Sequence, residues 1–364
     1  MVNIDELLNL LIERKGSDLH LKVNRPPLIR IYGRLIPTEF NVLTPQDTKD
    51  LVYSMLNPVQ VQKFERELEL DLSYTYKNIA RFRVNVFRQR GVVGAAIRMI
   101  SYKIPTIDEL GLPSVLKDLA SKDNGFILIT GPAGCGKSTT LASLIDYINN
   151  TRECHIITIE DPIEFVYQDN LSAINQREIE LDTRSFKDAL KHILRQDPDV
   201  ILIGEMRDFE TMSIAITAAE TGHLVFSTLH TNDATQSINR IIDSFPVNQQ
   251  QQVRIQLSLA LQGIISQRLL NKADGSGRVA AVEIMINSPT IKKLIEEGKI
   301  SEIHKAIESS VLYYRMQTID QSLVELYNKG LITFEEALSV SVNAEELKRM
   351  SKGIDTGASQ YYNM

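Results

Sequence analysis

Residues 131–138 read Gly-Pro-Ala-Gly-Cys-Gly-Lys-Ser, and the segments on either side restrict what this chain can become. Phe126-Ile127-Leu128-Ile129-Thr130 is a short apolar run rich in β-branched residues, the pattern of a buried strand. Ser138 to Ile145 carries apolar residues at helical spacing. Strand, glycine turn and helix in that order aim backbone N–H groups and a helix N-terminus at one spot, which suits a polyphosphate. Gly131, Gly134 and Gly136 permit the tight turn and the close approach. Lys137 has the reach for β- and γ-phosphates, and the Ser138 hydroxyl suits Mg²⁺. Pro132, Ala133 and Cys135 fill the remaining loop positions, Cys135 as a small filler.

A chain of 364 residues is long enough for two domains with full cores, so it needs no disulfide. Its two cysteines, Cys135 and Cys154, have neither metal spacing nor a C-x-x-C arrangement, which fits a reducing cytoplasm. No apolar run approaches the roughly 18 residues of a spanning helix, so any membrane role is expected to be peripheral. The start, Met1 to Leu8, is acidic and amphipathic, unlike a signal peptide. The net charge of −6 is uneven. Residues 1–100 hold 15 Lys and Arg against 11 Asp and Glu, which leaves −10 for the rest. An acidic second half argues against broad nucleic-acid binding, though not against a local basic groove.

The pattern predicts a small α/β domain over 1–100, a linker over 101–113 marked by Pro105, Gly111 and Pro113, and a larger α/β domain over 114–364. In the first domain, 19–23 and 28–33 read as strands around Pro26-Pro27, and Thr44-Pro45 opens a helix. From Arg81 to Phe87 the residues alternate, with Arg81, Arg83 and Asn85 on one face and Phe82, Val84 and Val86 on the other. In the second domain, apolar strands at 126–130, 155–159, 200–204 and 223–228 alternate with helical patterns, which predicts a parallel sheet covered by helices. Beyond about 285 the pattern is helical. The segment after Met350, with Gly353, Gly357 and Tyr361-Tyr362, is expected to be mobile.

Three strand ends carry polar tips, where ligands sit in open α/β sheets. Ile156 to Glu164 places Glu160, Asp161 and Glu164 at or past one end. Terminal-phosphate hydrolysis needs mainly positioned water and neutralised charge, so a carboxylate there can serve as base or positioning group. Val200 to Asp208 ends four β-formers at Glu205, which suits a Mg²⁺ held directly or through water. Thr221 to Ala234 ends in His230, which can sense a γ-phosphate or be a satisfied structural histidine. His20, His155, His192 and His304 form no ligand cluster. Lys77 to Arg98 holds Lys77, Arg81, Arg83, Arg88, Arg90 and Arg98 without an acid. It reads as a solvated face, a nucleic-acid groove, or arginines supplied to a phosphate in a neighbouring subunit.

Together these motifs resemble the secretion ATPase superfamily of type II and type IV machines, and within it the type IV pilus retraction ATPases. The resemblance runs from Gly16-Ser17-Asp18-Leu19-His20-Leu21 through Gly330 to Leu338. It implies a PAS-like N-terminal α/β domain joined to a RecA-like P-loop ATPase domain with C-terminal helices. It further implies a homohexameric ring with ATP and Mg²⁺ bound between subunits. By motif, Lys137, Ser138 and Thr139 bind phosphate and metal, Glu164 is the catalytic glutamate, Glu205 supports the metal and its water, and His230 couples nucleotide state to the domain interface. Arg83 and Arg98 match the N-terminal-domain arginines that reach the γ-phosphate. Extension and secretion relatives carry an extra N-terminal region and a four-cysteine zinc insertion; this sequence has neither, which favours retraction. The family's C-terminal motif Ala-Ile-Arg-Asn-Leu-Ile-Arg-Glu corresponds to Thr290 through Glu297, where both arginines are replaced.

The resulting expectation is a cytoplasmic Mg²⁺-ATPase at the inner face of the membrane. It would work on an inner-membrane platform protein, and through it on pilins, without nucleic acid. Its rivals are a related extension or secretion ATPase, a RecA-like nucleic-acid translocase, and a nucleotide-binding regulator without turnover.

Overall fold

The computed structural model describes residues 3–31, 33–77, 79–100 and 103–351, so Gly353, Gly357, Tyr361 and Tyr362 lie outside the described residues. The chain forms two compact units, Met1–Lys103 with Pro162–Val166, and Ile104–Asp161 with Tyr167–Met364.

The first unit is built on β1 (Asp18–Leu21), β2 (Leu28–Ile31), β3 (Arg34–Pro37), β4 (Glu69–Tyr76), β5 (Ala80–Gln89) and β6 (Val92–Ile100). They form one antiparallel sheet in the order β3-β2-β1-β6-β5-β4. Alternation decides its faces. Leu19, Ile29, Val84 and Ile97 are buried in a core shared with Leu7, Leu8 and Leu11 of helix Ile4–Glu13 and with Phe64 of helix Pro58–Glu67. Two helices begin as the sequence dictates. Thr44 and Asp47, then Asn57 and Gln60, form reciprocal caps, each followed by proline in the first turn.

The second unit contains β7 (Gly125–Thr130), β8 (His155–Glu160), β9 (Ala173–Glu178), β10 (Val200–Ile203), β11 (Leu224–Leu229), β12 (Leu261–Asn271) and β13 (Arg278–Ile286). Their order is β13-β12-β7-β11-β10-β8-β9. All neighbours are parallel except β12 and β13. The continuous apolar runs follow from two-sided burial. On β7, Phe126 and Leu128 enter one core, and Ile127 and Ile129 enter the other. All four are fully buried, and each contributes roughly 1.5–3 kcal/mol by leaving water.

The structure departs from the sequence expectation at three places. The sheet is not purely parallel, because the hairpin β12–β13 adds an antiparallel edge. The polar strand β9 joins the opposite edge. Residues 104–113, read as linker, pack with the second unit. Ile107 and Leu112 lie in its core, and the Ser143 hydroxyl donates to the Pro105 carbonyl at 2.6 Å. The C-terminal helices include Pro289–Glu296, Ile319–Asn328 and Phe334–Val340. Among the described residues no helix is long and apolar enough to cross a membrane.

Candidate functional site

The parallel register sets Thr130 opposite Leu229 and Ile203 opposite both Ser227 and Ile159. The carboxyl ends of β7, β8, β10 and β11 therefore emerge along one edge of the sheet. The loop 131–138 leaves that edge from β7 and enters helix Lys137–Asn149. Gly131 and Gly136 have φ of 144° and 92°, a region L side chains rarely adopt. The helix is capped by Gly136, with no side-chain cap bond, so the N–H groups of its first turn are available to an anion. Lys137 is buried, and its Nζ donates to the carbonyls of Gly131 at 2.8 Å and Pro132 at 3.0 Å. Ser138 and Thr139 follow in the first turn. Cys135 is buried under the loop, and that burial pushes its thiol pKa up, away from reactive thiolate character.

Glu205 stands just past β10, with Gly204 as spacer. The Gly204 N–H donates to Ile159 at 2.8 Å, and its carbonyl accepts the Thr228 hydroxyl at 2.6 Å, so neighbouring strands fix its height. Glu205 Oε2 pairs with Arg207 at 2.9 Å, and Oε1 lies 3.4 Å from His230 Nε2. The two motifs carrying Glu205 and His230, far apart in sequence, thus meet at one carboxylate. Glu160 Oε1 accepts from Thr158 at 2.6 Å and from Gln176 of β9 at 3.1 Å. Glu164 is exposed and lies in Pro162–Val166, which folds with the first unit.

Arg83 and Arg98 are direct cross-strand partners on β5 and β6. Arg98 is in turn opposite Asp18 of β1, and Asp18 is opposite Arg30 of β2. Arg98 Nε donates to Asp18 Oδ1 at 2.8 Å. Burial works to raise the Asp18 pKa, but the Ser17 hydroxyl and Arg98 outweigh it and hold the carboxyl below its ordinary value.

Sequence reasoning missed Gln267. It projects from β12, buried, and grips the loop twice. Its Oε1 accepts the Thr140 hydroxyl at 2.8 Å, and its Nε2 donates to the Cys135 carbonyl at 2.7 Å. Glu283 on β13 was missed as well. Its Oε1 accepts the Ala234 N–H at 2.8 Å, at the start of helix Ala234–Asp243 just past the His230 turn. No local signal marks either residue, because both act through strand pairing rather than through a motif.

The geometry agrees with the comparisons to known proteins. Residues 66–347 match the family model described as type II/IV secretion system protein. The chain belongs to that family. It is 47% identical over 336 residues to the type IV pilus retraction ATPase PilT of Pseudomonas aeruginosa, covering 92% of this chain and 97% of that one. It is 42% identical over 351 residues to the type IV pilus ATPase PilU of the same organism, covering 96% and 92%. A crystal structure of the pilus retraction motor PilT with bound ADP superposes with a TM-score of 0.90 at 50% identity, covering 96% of this chain and 100% of that one. The intact phosphate loop within this family makes the chain an ATP-hydrolysing enzyme.

Proposed function

We propose that this chain is the Mg²⁺-dependent ATPase that powers type IV pilus retraction and twitching motility as a homohexamer. The similarity to PilT over nearly the whole of both chains carries the reading. ATP is held by Gly131 through Thr139, with Lys137 on the β- and γ-phosphates. Ser138 and Glu205 supply hard oxygen donors of the kind Mg²⁺ takes, one directly and one through water. Glu164 positions the attacking water, and His230 reports the γ-phosphate through Glu205. Arg83 and Arg98 reach the terminal phosphate of a nucleotide bound by a neighbouring subunit, which makes turnover dependent on assembly. Hydrolysis then moves the N-terminal domain of one subunit against the motor domain of the next. That motion is passed to an inner-membrane platform protein and so returns pilins to the membrane. The enzyme accordingly works in the cytoplasm at the membrane's inner face.

The test is a pilus count on host cells carrying Lys137→Ala in place of the native chain. Excess pili with lost surface motility is the expected result. Bald cells would assign the chain to extension and overturn the reading.

A further inference from the structure

The first unit's sheet carries an unusual row. Reading across β2, β1, β6, β5 and β4 in register, the residues are Arg30, Asp18, Arg98, Arg83 and Ser73. They lie on the face opposite the core, since their strand neighbours Leu19, Ile29, Ile97, Val84 and Leu72 are the buried ones. Like charges directly opposite each other destabilise an antiparallel pair, and Arg83 and Arg98 are such a pair. A row kept only for sheet stability would alternate its charges. This one sets three guanidinium groups against one carboxylate and has an excess of positive charge where an anion would complete it.

Asp18 is the one acid in that row, and its two oxygens are divided. Oδ1 takes Arg98 Nε at 2.8 Å. Oδ2 accepts the Ser17 hydroxyl at 2.7 Å and lies 3.6 Å from Arg30 Nε. The carboxylate is held from two sides and its side chain is only 10% exposed, whereas that of Arg98 is 71% exposed. A bond to Nε fixes the plane of a guanidinium while its two terminal nitrogens keep their fork geometry for another oxyanion. Its partners more than offset the burial of Asp18 and hold its carboxyl below its ordinary value, so the anchor loses none of its charge to desolvation.

We propose that Asp18 is a positioning residue, which orients Arg98 so that Arg98 and Arg83 present a paired clamp to the terminal phosphate of a nucleoside triphosphate. The inference rests on the assignment of Arg83 and Arg98 to that phosphate. Asp18 itself touches no substrate. Its contribution is to keep a long, exposed arginine from sampling other rotamers, so that the fork is already oriented when charge develops.

The experiment uses the full chain with ATP and Mg²⁺. Turnover, KM, oligomer size and thermal midpoint are measured for Arg98→Ala, Asp18→Ala and the double variant. Asp18→Ala is expected to lower kcat about tenfold with KM within about twofold of the parent, as for a group acting in the transition state. The double variant is expected to be no slower than Arg98→Ala alone, because Asp18 acts only through Arg98. If the two losses multiply instead, Asp18 acts elsewhere and the proposal fails. If Arg98→Ala slows turnover while Asp18→Ala does not, the proposal fails and the arginine assignment stands. If Arg98→Ala is itself silent, the assignment beneath the proposal fails. Should Asp18→Ala not assemble, Asp18→Asn replaces it, with an expected loss of about threefold because a neutral amide holds Arg98 less firmly than a carboxylate. Turnover at the parent rate in Asp18→Asn would overturn the proposal.

Discussion

Replacing Glu283 by glutamine should stabilise the second unit in a pH-dependent way. Glu283 is almost fully buried on β13, and burial is the largest influence on its carboxyl. The nearby Asp233 raises its pKa further, while the Ala234 N–H, His304 and the Ser266 hydroxyl pull it down. The outcome is a rise from 4.5 to about 7. A carboxyl whose folded pKa lies above its unfolded value binds more protons in the folded state. Stability is then highest below the unfolded pKa and falls as pH rises toward the folded pKa. A displacement of about 2.5 units at 1.36 kcal/mol per unit sets a ceiling of roughly 3 kcal/mol lost by pH 8. Glutamine keeps an oxygen for the Ala234 N–H and does not titrate. Parent and Glu283→Gln should therefore differ little near pH 5, and the variant should be more stable at pH 8. For a unit of this size, roughly 2 kcal/mol of that gain corresponds to a thermal midpoint about 5 °C higher. The assay is a pair of melts at each pH, read as the difference between the two proteins, so that other titrating groups cancel. A constant gap from pH 5 to pH 8 would refute the reasoning, as would a variant less stable at both ends.

Two further expectations concern the loop. Gln267→Ala removes two buried hydrogen bonds from the backbone and first turn around residues 135–140. At about 1 kcal/mol each, nucleotide affinity should weaken by roughly tenfold to thirtyfold in a fluorescent-nucleotide titration, and an unchanged Kd would remove Gln267 from the loop's support. Gly131→Ala would place a Cβ 2.5 Å from the Gln267 carbonyl oxygen and 2.6 Å from the Cys135 sulfur, at a φ of 144°. It should abolish ADP binding while leaving the circular dichroism of the chain unchanged, and retained binding would mean the loop is more pliable than its packing indicates.

The phosphate loop, the strands that flank the site and the alternation of β5 were legible because each rests on a local signal: a residue motif, a continuous apolar run and a period of two. Phe126 to Thr130 reads as a strand from its own residues, and Thr44-Pro45 reads as a helix start. The rest depends on register, which a single chain read linearly does not expose. The Asp18–Arg98 bond joins residues 80 positions apart. β12 escaped recognition because Gln262, Gly263, Ser266, Gln267 and Arg268 interrupt its apolar residues, and the helix Gln250–Ala260 leads straight into it. β9 escaped because Ala173 to Glu178 is a polar edge whose place is set by pairing with β8. Glu205 and His230 were each recognisable at a strand tip, but their meeting, and the addition of Arg207, came only with the fold.

The edge hairpin links nucleotide chemistry to parts of the chain that look remote from it. β12 lies against the loop-bearing strand β7, and β13 lies against β12. On the outer side, Gln317 donates to the Val282 carbonyl at 2.7 Å, and the Ser322 hydroxyl accepts the Val282 N–H at 3.1 Å. Helix Ile319–Asn328 is thereby connected to Gln267 through a single rung of the sheet, because Val282 is the direct cross-strand partner of Gln267. A defect engineered into the C-terminal helices can thus reach the catalytic loop mechanically, with no partner involved. Lost motility in such a strain is attributable to a broken external coupling only after nucleotide affinity has been measured on the same variant.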